Sequence, residues 1–204
     1  MRYLLFINLL FCLACASPYK GFQNAVGDIT CVQKFRPVFA SALYNTQVNV
    51  VGRHLSGLLL IKTMPDSSIR MVFSNEMGFK FFDFEFSARD SFFVHYIIKK
   101  MNRKAVIKTL RKDFELILMR HFDTLKAQVK KEGELTYFVF PQGKEYNSFI
   151  TNSNCTELVR IEKASKRKIK VQVIMQNYAG GVPDTIGITH KNINFTIGLK
   201  RLER

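Results

Sequence analysis

The sequence predicts a mainly β chain of the α+β kind: a strongly curved antiparallel half-barrel of about 10–11 strands covered by one main amphipathic helix. Three observations predict it. Between Gly57 and Met119, four segments, GLLLIKTM, SIRMVFSN, FKFFDFEFS and SFFVHYII, have strand composition and are separated by turn residues. In the third, Phe82, Phe84 and Phe86 alternate with Asp83 and Glu85, so one face is aromatic and the other acidic. The stretch RKAVIKTLRKDFELILM then repeats an apolar residue every four positions, at Val106, Leu110, Phe114 and Leu118. That spacing gives a helix over roughly 103–121 with one apolar stripe. A sheet with one apolar face needs a cover, and this helix supplies it.

The elements follow in order. Residues 16–36 carry few signals, and Asp28–Val32 reads equally as a helical turn or a strand. Pro37 opens VFASALY, and TQVNVVG follows. Pro65–Ser68, Asn75–Gly78 and Ala88–Asp90 are turns by composition, with Ile69, Met71 and Phe73 alternating between the first two. This spacing is that of an antiparallel meander. Asn102 is an acceptable N-cap for the helix. Beyond it, LTYFVF ends at Pro141–Gly143, and SFITN, CTELVRIEKA and RKIKVQVIM follow. In the last, Ile169, Val171, Val173 and Met175 share a face. Asn177–Pro183 reads as a glycine-containing loop. The chain closes with TIGITH and INFTIGLKRL, where Ile193, Phe195, Ile197 and Leu199 share a face. No linker or low-complexity stretch divides residues 16–204, so they form one domain.

The N-terminus reads as an export signal over residues 1–15. Arg2 precedes an apolar run, Leu4–Ala14, that is too short to cross a bilayer as a helix. Two processing schemes fit. Leu13-Ala14-Cys15 is similar to a bacterial lipobox, which makes Cys15 an acylated first residue carrying a fatty acid such as palmitate. Ala14-Cys15-Ala16 is also a small-x-small site, whose cleavage after Ala16 releases a soluble periplasmic or secreted protein. The expected address is the membrane, facing the periplasm. Two other thiols survive either scheme, Cys31 and Cys155. They form a disulfide or stay as buried free cysteines.

The formal charge is +15, which favours anionic partners. The polar face of the helix carries Lys104, Lys108, Arg111 and Lys112, with Lys99, Lys100 and Arg103 just ahead. Positive charge at a helix start opposes the macrodipole, so helix stability does not explain it. One reading is a solvated face; the other is contact with an anionic membrane surface, aided by the turn around Lys166–Lys170. Nucleic acid is excluded by the export signal and by the lack of a recognition motif. His54, His95, His121 and His190 lack metal-ligand spacing, and no nucleophile motif or phosphate-binding loop occurs. His95 reads as a hydrogen-bonded structural residue, and Asp83 and Glu85 as an exposed polar face. The expectation is therefore a monomer with no catalytic residues, no metal and no cofactor.

The order of elements, with the turn in SNEMGFKFFDFEF and the closing hairpin PDTIGITHKNINFTIGLKRL, resembles the LolA/LolB superfamily of periplasmic and outer-membrane lipoprotein-trafficking proteins. The likeness covers roughly residues 37–200. It implies an incomplete barrel with a helical lid over an apolar cavity that holds acyl chains. Those proteins have more than one lid helix, whereas this chain shows one. Carried onto this sequence, the cavity is lined by Phe82, Phe84, Phe86, Val173 and Phe195, with Leu110 and Phe114 above it. The partner is then a lipid or an acylated protein. The competing function is a non-enzymatic structural or assembly lipoprotein, docked on anionic membrane or on an envelope complex through its basic helix.

Overall fold

Alternating apolar residues build strands nearly throughout. The computed structural model describes residues 18–120 and 123–202. Cys15 and both processing sites lie outside these residues. Before the helix the strands are β1 (Gln23–Asn24), β2 (Ser41–Val50), β3 (Arg53–Thr63), β4 (Ile69–Ser74), β5 (Lys80–Phe86) and β6 (Phe92–Ile97). Helix α1 spans Lys104–Ile117. After it come β7 (Gln128–Glu132), β8 (Leu135–Gln142), β9 (Glu145–Asn152), β10 (Leu158–Ser165), β11 (Ile169–Ala179), β12 (Val182–His190) and β13 (Phe195–Arg201). Two 3-10 segments, Ile29–Phe35 and Thr124–Lys126, complete the described elements.

All thirteen strands join in one antiparallel sheet, in the order β1-β7-β8-β9-β10-β11-β12-β13-β2-β3-β4-β5-β6. The sheet does not close: β1 and β6 are its two edges. It is a run of hairpins apart from two pairings, the short edge contact of β1 with β7 and that of β13 with β2, where Val50 lies opposite Phe195. The ends of the hairpins are staggered in one direction. Ser74, at the end of β4, lies opposite Leu58 rather than opposite Arg53 at the start of β3. At the other side, Val171 rather than Ile169, the first residue of β11, lies opposite His190 at the end of β12. Such a stagger belongs to strands tilted against the axis of a curling sheet. It keeps alternate hairpin turns on a common rim.

One face of the sheet is the main core. Tyr44, Leu59, Ile61, Met71, Phe73, Phe84, Phe149, Ile161, Val173 and Ile188 are all buried in it, together with Leu110, Phe114 and Ile117 of α1. The apolar stripe of the helix therefore faces the sheet as its spacing requires, with Val106 packed at the margin. The other face of β8–β10 carries a smaller cluster of Tyr137, Val139, Ile150 and Ala164, covered by Tyr19 and Phe22 of the N-terminal segment. Cys31, in the first 3-10 segment, is joined to Cys155 in the β9–β10 turn by a disulfide whose Cα atoms are 6.3 Å apart. The bridge pins that segment beside Val32 of the main core.

Several expectations are corrected. The sheet has thirteen strands, not 10–11, because polar β7 and two-residue β1 have no hydrophobic alternation to show. VFASALY and TQVNVVG contribute to one continuous strand, β2. Asn177–Pro183 is no loop: β11 and β12 run through it, and only Gly180 and Gly181 turn the chain, both at positive φ. Helix α1 is shorter than 103–121. Its N-cap is Arg103, with no side-chain capping bond, while the Asn102 N–H donates backward to Ile98 and Lys99 carbonyls. Gly57 has a packing reason, since a Cβ there would run into the Ser74 carbonyl oxygen.

Candidate functional site

The seven residues expected to line an acyl cavity do come together. Phe82, Phe84, Phe86, Leu110, Phe114, Val173 and Phe195 all belong to the main core cluster. They fill it rather than line a hollow. Phe82 stacks on Phe84 at 4.4 Å between ring centroids, and Phe114 sits 5.7 Å from Phe82. Phe86 packs against Phe92 at 5.0 Å, and Phe195 against the His190 ring at 4.6 Å. What remains between α1 and β2–β5 is a gap of about 30 Å³ lined by Leu59, Phe73, Phe82, Leu110 and Phe114. That is the volume share of one water molecule, and small-molecule sites need at least ~300 Å³. Aromatic residues at these positions interlock in pairs, so the strand alternation that identified them could not distinguish a lined cavity from a packed core.

The larger hollow, about 580 Å³, is an open trough on the opposite face. It lies over the cross-strand pair Gly187 and Gly198, where missing side chains leave the sheet bare between Asn45, Gln47, Ile174 and Gln176.

Of the four helix residues expected on an anionic surface, two are free to serve and two are not. Lys104 and Lys108 are exposed, with no ion pair to any described residue. The Arg111 Nε donates to Glu115 at 2.7 Å, and its guanidinium lies over the Phe92 ring. The Lys112 Nζ donates to Glu145 at 2.7 Å. These two hold the helix in place. The acidic face of β5 is also not exposed. Asp83 is buried, accepting from Arg70 at 2.7 Å and from Lys80 at 2.8 Å. His95 Nε2 meets Glu85 at 2.7 Å, which gives that histidine a structural partner.

Sequence reasoning missed the polar seam under α1. The Asp113 carboxylate, on the helix, lies 2.9 Å from Nε2 of His190 on β12, both nearly buried. Burial pushes the Asp113 carboxyl up, against the pull of His190 and the nearby lysines. Glu145 accepts from Lys112 and from Lys170, each at 2.7 Å, with Lys163 at 3.6 Å. Burial raises the Glu145 pKa, but the three lysines outweigh it and bring it to about 2. Lys163 is itself held below the usual lysine range by burial and by Lys112. No spacing in the sequence points to this seam, because its members come from α1, β9, β10, β11 and β12.

The sign of the pH effect follows. Glu145 has a depressed folded-state pKa, so its contribution is complete above the ordinary carboxylate value of 4.5. It is lost as pH falls toward about 2. With screening by solvent around the half-buried lysines, its size is on the order of 1–2 kcal/mol. Asp113 has the opposite sign, so the comparison must be made against Glu145→Gln. Chemical denaturation across that pH window is expected to give a steeper loss for the parent protein than for Glu145→Gln. Parallel curves would mean that the seam carries no linkage.

One end of the sheet carries a concentration of exposed cations. The connections on the rim that holds the start of α1 are 51–52, 75–79, 98–103, 143–144, 166–168 and 191–194. They carry Lys99, Lys100, Arg103, Lys144, Lys166, Arg167, Lys168 and Lys191, all exposed, against Glu76 as the one acid. The hairpin connections at the opposite end, 64–68, 87–91, 133–134, 153–157 and 180–181, carry Asp66, Asp90, Glu134 and Glu157 against Arg89. Lys104 and Lys108 extend the basic end along the first turns of α1. The basic site is thus a rim made by four turns and a helix start, and the helix alone is only part of it.

The fold and this rim define a mainly β protein with one long open sheet, a covering helix and one strongly basic end. Among the described residues, no group of three His, Cys, Asp or Glu side chains is placed to hold a metal, and no helix is long and apolar enough to cross a membrane. No family model and no curated protein matches the chain. The solved structures similar to it include these two. One is a DUF1329 family protein from Desulfovibrio piger, with a TM-score of 0.46 and 9% identity, covering 86% of this chain and 88% of that one. The other is a domain described as that of an outer membrane lipoprotein-sorting protein, from Vibrio parahaemolyticus. It has a TM-score of 0.45 and 7% identity, covering 85% of this chain and 89% of that one.

Proposed function

We propose that this is a non-enzymatic protein of the cell envelope that docks on an anionic surface through its basic rim. The observation that carries the proposal is the concentration of charge at one rim, eight exposed cations to one acid in its connections. Basic residues near an anionic membrane are worth about 1 kcal/mol each, so the rim is the end that faces it. The packed core favours this reading over a carrier. Anchoring through Cys15 is part of the proposal and adds a second signal to a charge-driven contact.

The test uses Cys15→Ser protein, which has no lipid of its own, with vesicles of phosphatidylglycerol and phosphatidylcholine in equal parts. Binding is expected at low salt, to weaken at molar salt, and to be absent on phosphatidylcholine alone. Replacing Lys166, Arg167 and Lys168 with glutamine is expected to weaken it by about a hundredfold, from three contributions of about 1 kcal/mol. Binding that ignores salt and this triple replacement would overturn the proposal.

Carriage of an acyl chain is the second reading. What favours it is that α1 is the one α-helix packed on the apolar face among the described residues, with a small gap already under Leu110 and Phe114. It requires α1 to move away from the sheet. Native mass spectrometry of the same Cys15→Ser protein from its envelope decides it: a co-purifying acyl-chain mass supports carriage, and a clean protein mass overturns it.

A further inference from the structure

The basic rim is not uniformly polar. Three neighbouring hairpins end in exposed apolar side chains: Ile193 in the β12–β13 turn, Val51 in the β2–β3 turn, and Met77 with Phe79 in the β4–β5 turn. Their exposures are 51%, 74%, 92% and 55%. The strands that carry these turns follow one another across the sheet, so the four side chains occupy one sector of the rim. On one side of that sector stand Lys166, Arg167 and Lys168, and on the other Lys99 and Lys100. An apolar sector between two groups of cations fits a surface that is anionic outside and apolar beneath.

Val51 adds an independent observation. Two residues connect β2 to β3, Val51 at φ 46° and Gly52 at φ 74°. A two-residue hairpin turn with both φ values positive is the type that selects asparagine or aspartate followed by glycine. Gly52 conforms. Val51 is a β-branched residue in the left-handed region, which is sterically disfavoured, and its side chain is largely exposed. Local stability is given up at this tip for an apolar side chain.

We infer that the partner of the basic rim is a phospholipid bilayer, and that Val51, Met77, Phe79 and Ile193 insert below its headgroups while the flanking lysines and arginines bind lipid phosphate. This rests on the docking reading above and makes it specific. An acidic protein would meet the cations but give the four tips no apolar phase to enter. Burying one such side chain favours binding by roughly tenfold or more.

The chain contains no tryptophan, so Phe79→Trp introduces a single tryptophan at the tip, excited selectively at wavelengths where the seven tyrosines do not absorb. In the Cys15→Ser background, with vesicles of equal phosphatidylglycerol and phosphatidylcholine, its emission is expected to shift to the blue. Lipids brominated on the acyl chains are expected to quench it. Met77→Ser with Phe79→Ser is expected to weaken sedimentation with these vesicles at least tenfold while the salt dependence persists. Val51→Asn is expected to raise Tm and yet to weaken vesicle binding, a combination that a purely structural role for Val51 would not give. Salt-sensitive sedimentation without a blue shift or quenching would overturn insertion and leave docking standing. No sedimentation of the Cys15→Ser protein itself would overturn both.

Discussion

Replacing Cys31 and Cys155 with serine is expected to lower the stability of the folded chain by about 4–5 kcal/mol. The two residues are 124 positions apart, and a cross-link closing a loop of that length removes a corresponding amount of entropy from the unfolded chain. For a chain of this size the change is a Tm lower by on the order of 10 °C. The effect should be large in denaturant titrations and should be reproduced in the parent protein by a reductant. It should also be local in its consequences. The 3-10 segment Ile29–Phe35 holds to the core chiefly through Val32, so it should lose protection from hydrogen exchange first. A loss below about 1 kcal/mol would show that the unfolded chain already keeps these ends near each other.

The second large effect is expected at Phe114. Its ring is 2% exposed and meets Phe82 and Phe84. Phe114→Ala removes the central contact between α1 and the sheet and enlarges the gap already lined by Phe73, Phe82 and Leu110. Such truncations cost about 3–5 kcal/mol, the higher values where the site cannot collapse. Here the neighbouring rings are fixed by stacking on one another, so collapse is restricted and a value near the top of that range is expected from urea titration. Phe93→Ala is the control. Phe93 is 50% exposed on edge strand β6, and its truncation should change stability little. Equal losses at the two positions would mean that α1 is not held by its apolar stripe.

The contrast between these two phenylalanines shows what the sequence does and does not reveal. The order of the strands from β2 to β6, the inward face of β5 and the stripe of α1 were all legible, because each is a local periodicity. Strand β7, QVKKE, was not legible, because an edge strand of charged residues has no alternation to read. The interior was read correctly as a set of residues and not as a volume. Burial of Phe82, Phe84 and Phe114 follows from periodicity, but whether the space between them is empty depends on ring angles that periodicity does not encode. The candidate docking site was half legible. Lys104 and Lys108 are where the helical spacing puts them, whereas Arg111 and Lys112 are used by Glu115 and Glu145. The partner of Lys112 is 33 positions away, which no local pattern anticipates. The rim itself depends on which turns the antiparallel topology brings to one end, a property of the whole sheet.

The pairing of β13 with β2 joins the last strand to the second in the interior of the sheet. Every other strand pair except the short β1–β7 contact is a hairpin between sequence neighbours, and these form from local contacts on fast timescales. The chain therefore consists of two meanders, β2–β6 and β7–β13, each of which zips locally. The order of assembly follows: two half-sheets first, and then one long-range closure that brings Val50 to Phe195 across almost the full length of the domain. Until that closure, β2 and β13 are exposed apolar edges, the most aggregation-prone surfaces the chain presents. After it both lie in the interior of the sheet. Synthesis from the N-terminus makes all of β2–β6 available long before β13, so the interval before closure is when a holding chaperone would matter most.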